Sequence, residues 1–421
     1  MKNNKLKIGL IGLGTVGCGV VKVLAKYDDI EIVKVCVKNL NKKRDIEVKS
    51  LTNDSMELAL DSNIDVIVEV AGGLEIKDTL ITAMKNGKHV VTANKELLAK
   101  FGAEICDCAR ENNVALLYEA AVAGGIPIIM PIKQSLKAND FNSVAGILNG
   151  TTNYILTKME EENLSYKECL KKAQELGFAE TDPTNDVEGF DAMFKIAILA
   201  NIVFNKRIDV NKIYHEGITK ISSLDIQIAN ELGYKIKLIA QAKKTKNCDE
   251  LDIRVHPMLV KKENAISEIK NATNAVLLDG FPVDKVMFVG PGAGEFPTAS
   301  SVVGDILSIK SEFNYEKENI LPMTVCHHKQ YAIQTDIENT TNCYYLRIET
   351  KNQLGIIGRI GCACEKYKIN LASVVQKGIN NDGSATILVL TEVSKEENIN
   401  NMIASLEKTG DIRIVNKIRV M

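Results

Sequence analysis

The chain has 421 residues, more than the roughly 250 to 300 at which a single hydrophobic core stops growing, so two or three domains are expected. Its composition is that of a globular protein, 45% hydrophobic and 25% charged, and its formal net charge of -2 comes without a block of like charge, which leaves no electrostatic case for a nucleic-acid partner. The amino-terminal apolar stretch, MKNNKLKIGLIGLG, is short, glycine-broken and without a small-residue cleavage site; neither a signal peptide nor a membrane span is expected, and the cytoplasm is the default location.

From Lys5 to about Ala121, short Val/Ile-rich runs (KIGLIGLG, IVKVCVK, VIVEVAG, KHVVTA and ALLYEAAV) alternate with helical patterns. Parallel strands need crossover connections, so this alternation predicts a parallel sheet with helices on both faces, a doubly wound nucleotide domain. Gly12-Leu13-Gly14-Thr15-Val16-Gly17 follows the first strand and precedes a helical pattern beginning near Val20. There Gly12 permits a tight turn, Gly14 lets the backbone approach a pyrophosphate, and Gly17 lets helix pack on strand. The acid that would hold a ribose 2′-hydroxyl is missing at the end of IVKVCVK; Lys38 stands there, with Lys42, Lys43 and Arg44 close behind, able to pair with a 2′-phosphate. NADP is favoured on that ground, with NAD the alternative.

Thr92-Ala93-Asn94-Lys95 comes after the strand HVVTA, at the sheet edge where ligands of doubly wound folds bind, with Asn94 as helix cap. From about Pro127 to about Leu307 the pattern changes to longer helices mixed with strands such as NSVAGILN and DKVMFVG, an α+β domain. Gly150-Thr151-Thr152-Asn153 lies between a strand and a helix, where capping or substrate contact would use its hydroxyls. Glu180-Thr181-Asp182-Pro183-Thr184-Asn185-Asp186 is a carboxylate-dense turn able to meet an ammonium group.

The helix at 189–200 is apolar nearly all round, and Lys195 is its only cation. A buried lysine is costly unless paired, and Asp191 lies one turn earlier on the same face. Lys195 could then exchange a proton or donate to an oxygen. Gly290-Pro291-Gly292-Ala293-Gly294 is a second glycine loop before a helix, able to approach a cofactor.

The ten cysteines have no framework spacing and read as free thiols. Cys106/Cys108 and Cys362/Cys364 lack a second ligand pair, and adjacent His327 and His328 after Cys326 would point to opposite strand faces, so no metal is expected at these places. The tail from Cys343 reads strand, helix, strand, turn, strand, helix, strand, with Gly383 supplying the positive φ of the turn INNDG: a ferredoxin-like unit.

Taken in order, GLGTVG, TANK, NGTTN, the ETDP turn, GFDAMFK and GPGAGEFPTASSVVGD resemble homoserine dehydrogenase over about the first 310 residues, and the tail resembles an ACT domain. The resemblance implies an α/β enzyme of EC 1.1.1.3. Its parts would be a Rossmann-type NAD(P) domain at 1–126, a catalytic and dimerisation domain at 127–310 whose end after about 290 packs back on the first, a linker at 311–342 and an ACT domain at 343–421. It implies reversible reduction of L-aspartate 4-semialdehyde to L-homoserine in threonine, methionine and isoleucine synthesis, by a homodimer or homotetramer. Lys195 would be the proton donor, Lys95 would lie beside substrate and nicotinamide, Asp191 would support the reacting end, and Glu180 would hold the amino group with Thr151 near the substrate. Cofactor contacts would come from Gly12, Gly14, Thr15, Val16, Gly17, Lys38, Gly72, Ala93, Lys95 and Gly294. Glu119, Val122, Gly124 and Ile126 would surround a sodium ion. Asn352, Leu354 and Gly355 match the effector loop of related domains, which commonly begins with Asp where this chain has Asn352; threonine is the natural effector. The alternatives are a dehydrogenase for another amino-acid-like aldehyde, or a non-catalytic amino-acid sensor, which intact Lys95, Lys195 and Asp191 argue against.

Overall fold

The computed structural model describes residues 5–44, 46–245, 250–313, 328–379 and 383–421. They form two compact units, one of Met1–Gly150, Asp191–Asn211 and Ala272–Ala332, the other of Thr151–Phe190, Lys212–Asn271 and Ile333–Met421.

In the first unit six parallel strands make one sheet, in the order Leu51–Thr52, Ile30–Cys36, Leu6–Ile11, Val66–Glu69, His89–Thr92, Leu116–Leu117. The strands are short and rich in Val and Ile because helices cover both faces, and Leu6, Ile8, Leu10, Val66 and Val68 are buried. Chain order reverses between Leu6–Ile11 and Val66–Glu69, which opens a crevice at the carboxyl ends of those strands. Helix Thr15–Leu24 starts five residues before the expected Val20, so Thr15, Val16 and Gly17 lie in its first turn. Helix Glu295–Phe313 closes the same core through Ala299, Val302, Val303, Ile306 and Ile309. Burying each of its larger aliphatic side chains contributes about 1.5 to 3 kcal/mol. The two helices approach closely at Gly19, where a Cβ would lie 2.7 Å from the Glu295 carbonyl oxygen.

The run ALLYEAAV yields only the strand Leu116–Leu117; a 3-10 turn takes over at Glu119–Ala121, where the Glu119 N–H donates to Asp305 Oδ2 (2.9 Å) instead of to a ladder. The rest of the unit adds an antiparallel trio, Asp284–Pro291 beside Thr273–Phe281 beside Asp140–Ile147.

In the second unit the strand order is Tyr234–Lys244, Glu250–Lys261, Ile412–Val420, Thr341–Lys351, Ser384–Thr391, Leu371–Ile379. The last four, with helices Ile356–Lys366 and Glu396–Glu407, give the expected βαββαβ unit in the spatial order fourth, first, third, second. Its core is Tyr344, Leu346, Ile348, Ile360, Val389, Ile399 and Met402. Gly383 has φ 81°, as the hairpin requires, while Asn380, Asn381 and Asp382 of that turn lie outside the described residues. The final strand runs parallel to Glu250–Lys261, pairing Met258 with Arg419 and Leu259 with Val420, so the tail extends the sheet of its neighbour. Ile333–Gln334 likewise pairs with Glu250 and Leu251.

No described cysteine forms a disulfide, and Cys326 and His327 lie outside the described residues. Among the described residues no group of three or more His, Cys, Asp or Glu could hold a metal, and no helix is long and apolar enough to cross a membrane.

Candidate active site

The glycines of the first turn divide their work as their surroundings dictate. Gly12 has φ 101°, and a Cβ on it would sit 2.7 Å from Ala71 N; a Cβ on Gly17 would sit 2.2 Å from the Gly12 carbonyl oxygen. A Cβ on Gly14 would meet nothing within 4 Å. Gly14 is also the N-cap of helix Thr15–Leu24 and brings no side-chain hydrogen bond to it. The open backbone and the positive helix end together suit a diphosphate.

Glu69, fully buried, shapes the opposite wall. It accepts from Ala71 N (2.9 Å), Gly72 N (2.8 Å) and Thr92 Oγ1 (2.6 Å), tying two strand ends and the 71–72 turn together, while burial pushes its carboxyl pKa up. Ala93 follows directly, and Gly294, with φ 126°, opens helix Glu295–Phe313. Lys38 is exposed and paired with Glu75 at 3.3 Å. Arg44 turns back to donate to the carbonyls of Lys42 (2.7 Å) and Asn39 (2.6 Å), closing that loop on itself.

The reacting end forms around one carboxylate. Asn94 caps helix Lys95–Glu111 by accepting from Leu97 N (3.0 Å), which places Lys95 at its first position. A cation there opposes the helix dipole, a local cost that points to a use elsewhere. Helix Phe190–Val203 presents Asp191 and Lys195 one turn apart. Lys195 Nζ donates to Asp191 Oδ2 (2.7 Å) and to the Leu148 carbonyl (2.7 Å); Lys95 pairs with Asp191 Oδ1; Asn149 Nδ2 donates to Asp191 Oδ2 (2.9 Å). Asn274 Nδ2 reaches the same Leu148 carbonyl at 3.0 Å. Burial would raise the Asp191 pKa, but Lys195 and then Lys95 overcome it and hold the carboxyl well below the usual range. Two ammonium groups share one buried carboxylate, with Lys195 enclosed and the Lys95 side chain 43% exposed. Such a cluster can stabilise charge developing on a substrate oxygen and deliver a proton to it.

Sequence comparison assigns this arrangement to a family. Residues 12–130 match the model for "Homoserine dehydrogenase, NAD binding domain" and residues 127–307 the model for "Homoserine dehydrogenase". A homoserine dehydrogenase of Synechocystis sp. is 40% identical over 427 residues, covering 98% of each chain. The chain belongs to the homoserine dehydrogenase family. A crystal structure of a homoserine dehydrogenase from Thiobacillus denitrificans is 35% identical and superposes with a TM-score of 0.92 over 99% of this chain and 98% of that one. One from S. aureus is 34% identical, with a TM-score of 0.77 over 99% of each chain. The protein is accordingly an NAD(P)-binding oxidoreductase with homoserine dehydrogenase activity.

The remaining residues matched to the family fall in several places. Thr151, in the first turn of helix Gly150–Glu162, donates from Oγ1 to the Phe178 carbonyl (2.7 Å), which leaves its oxygen lone pairs as acceptors. Glu180 is exposed on its turn, and its backbone carbonyl accepts from Gln174 Nε2 (3.1 Å). Both belong to the second compact unit, whereas Lys95, Asp191 and Lys195 belong to the first. Asn352, Leu354 and Gly355 line a cavity of roughly 430 Å³ together with Gln376 and Ile387; Gly355, at φ 83°, begins helix Ile356–Lys366.

At 119–126 the Glu119 carboxylate accepts from Ile128 N (2.6 Å), Ile129 N (2.7 Å) and Met130 N (2.8 Å), so its side chain is committed to a helix N-terminus. Any cation there would rely on backbone carbonyls. Ala123 (φ 56°) and Gly124 (φ 51°) turn successive carbonyls out of line, and burial pushes both Glu119 and Asp305 up, Asp305 to about 8. Of the backbone carbonyls in this loop, that of Gly124 accepts from Ser301 Oγ (2.7 Å).

Sequence reading missed Asn149, Asn274 and the Leu148 carbonyl. Asn149 opens the NGTTN motif, which by itself gives its side chain no role, while the Leu148 carbonyl and Asn274 are marked only by position, at the carboxyl end of strand Asp140–Ile147 and the start of strand Thr273–Phe281.

Proposed function

We propose that the chain interconverts L-aspartate 4-semialdehyde and L-homoserine, with Lys195 giving its proton to the aldehyde oxygen during reduction. The supporting observation is the buried Asp191 carboxylate shared by Lys195 and Lys95, which fixes two ammonium groups where an oxygen gains negative charge. A bound nicotinamide supplies the hydride. Lys95 steadies the same oxygen, Asp191 keeps both lysines charged and placed, Thr151 contacts substrate, and Glu180 meets the amino group.

The cofactor is held at Gly12, Gly14, Thr15, Val16, Gly17, Gly72, Ala93 and Gly294; NADP is preferred, with Lys38 leaving Glu75 for the 2′-phosphate. Backbone carbonyls of Glu119, Val122, Gly124 and Ile126 hold sodium. The βαββαβ tail is an ACT domain whose cavity at Asn352, Leu354 and Gly355 takes L-threonine as a feedback inhibitor. The enzyme works in the cytoplasm as a homodimer or homotetramer, in threonine, methionine and isoleucine synthesis.

The test is absorbance loss of NADPH and of NADH with purified protein and L-aspartate 4-semialdehyde, with and without L-threonine. Rapid oxidation, faster with NADPH and slowed by threonine, is expected. No oxidation with either cofactor contradicts the reaction, a preference for NADH contradicts the Lys38 assignment, and indifference to threonine contradicts the effector.

A further inference from the structure

Asn274 is fully buried, its Nδ2 is spent on the Leu148 carbonyl (3.0 Å), and among the described residues its Oδ1 has no hydrogen-bond partner. Leaving a buried amide half-satisfied costs about 1 to 3 kcal/mol, which an apolar side chain of similar size would avoid. Stability alone therefore does not account for an asparagine here.

Its surroundings give it a task. The Leu148 carbonyl has two donors, Asn274 Nδ2 and Lys195 Nζ, so the amide fixes the acceptor on which the buried lysine rests. The other side of the amide lies against the second glycine loop: Asn274 pairs with Gly290 across the strands, and a Cβ on Gly292 would come within 2.1 Å of Asn274 Cγ. The loop expected to approach the cofactor thus touches Asn274, and the lysine expected to serve the substrate shares the Leu148 carbonyl with it.

We infer that Asn274 is a positioning residue for the reaction: by holding the Leu148 carbonyl it sets where Lys195 presents its proton. The inference rests on the reading of Lys195 as proton donor.

Asn274→Ala removes the amide, and Asn274→Asp keeps its shape but has no N–H to give Leu148. Turnover is counted per NADPH-binding site, from fluorescence titration of each variant, so that misfolded protein does not enter. The expected result for either variant is a fall in kcat per site of about a hundredfold, as for a misplacement on the order of 1 Å, with the Kd for NADPH within about twofold of the parent. The deuterium isotope effect with 4-deuterated NADPH should stay at or above the parent value, because the chemical step is the one slowed. A loss of less than about tenfold in both variants, or a Kd that weakens in step with kcat, overturns the inference. Lys195→Ala is run alongside: if it keeps turnover, the underlying reading falls, whereas active Asn274 variants beside an inactive Lys195→Ala overturn only the role of Asn274.

Discussion

Lys195 and Lys237 are both buried, yet they stand in different company. Lys237 donates to Asn153 Oδ1 (3.1 Å) and the Ile269 carbonyl (2.6 Å), and burial pushes its pKa down to about 8. Lys88, also buried, serves the carbonyls of Asp61 (2.6 Å) and Ile64 (2.9 Å) in the same way. These lysines tie backbone segments together. Lys195 instead shares the Asp191 carboxylate with a second lysine, Lys95. In the second unit the buried carboxylate of Asp225 accepts from Arg347 at 2.7 Å, and that of Glu396 from Arg419 and Lys417. Burial of a charge therefore does not by itself mark the active site.

The largest effect expected on that contrast is at Asp191. Asp191→Asn should lower kcat by about a thousandfold, because two ammonium groups lose the acid that places them. Steady-state rates with the folded variant check this, and near-parental kcat would mean the carboxylate only serves the fold. Asp225→Ala should do the reverse, removing the partner of a buried guanidinium at a cost of about 3 to 5 kcal/mol in chemical denaturation while kcat of the folded fraction is kept.

Lys237 sharpens the contrast through pH. Its folded pKa of about 8 lies below the ordinary lysine value, so the unfolded chain binds the extra proton between about pH 8 and 10.5 and stability rises with pH across that window. The contribution is on the order of 3 kcal/mol. Lys237→Met should remove that rise in denaturation curves and leave kcat unchanged. The smallest effect expected is at the cofactor end: Lys38→Ala should cut the preference for NADPH over NADH by about fivefold, as for one exposed charge pair worth roughly 1 kcal/mol, read from the two kcat/KM values.

Much of this was legible in the chain. Short Val/Ile runs separated by helical stretches specify a parallel sheet covered on both faces, and the spacing of Asp191 and Lys195 specifies a pair on one helix face. The helix start at Thr15 was not legible, because Thr15, Val16, Gly17 and Gly19 are poor helix formers; close packing of Gly17 and Gly19 decides it. Nor was the meeting of Lys95 with Asp191, since no periodicity links the start of one helix to a distant second one. Asn274 escaped for the same reason: a single asparagine at a strand end has no pattern, and its value comes from which carbonyl the fold brings to it. Lys237, inside the strand KIKLIAQ, shows the opposite limit, because its alternating pattern says nothing of the carbonyls that make its burial tolerable.

The central claim, that Lys195 is the proton donor, is tested most directly by Lys195→Ala with NADPH and L-aspartate 4-semialdehyde. A loss of kcat of at least about a thousandfold, with NADPH still bound at parental affinity, is the predicted result; turnover near the parental rate would contradict it.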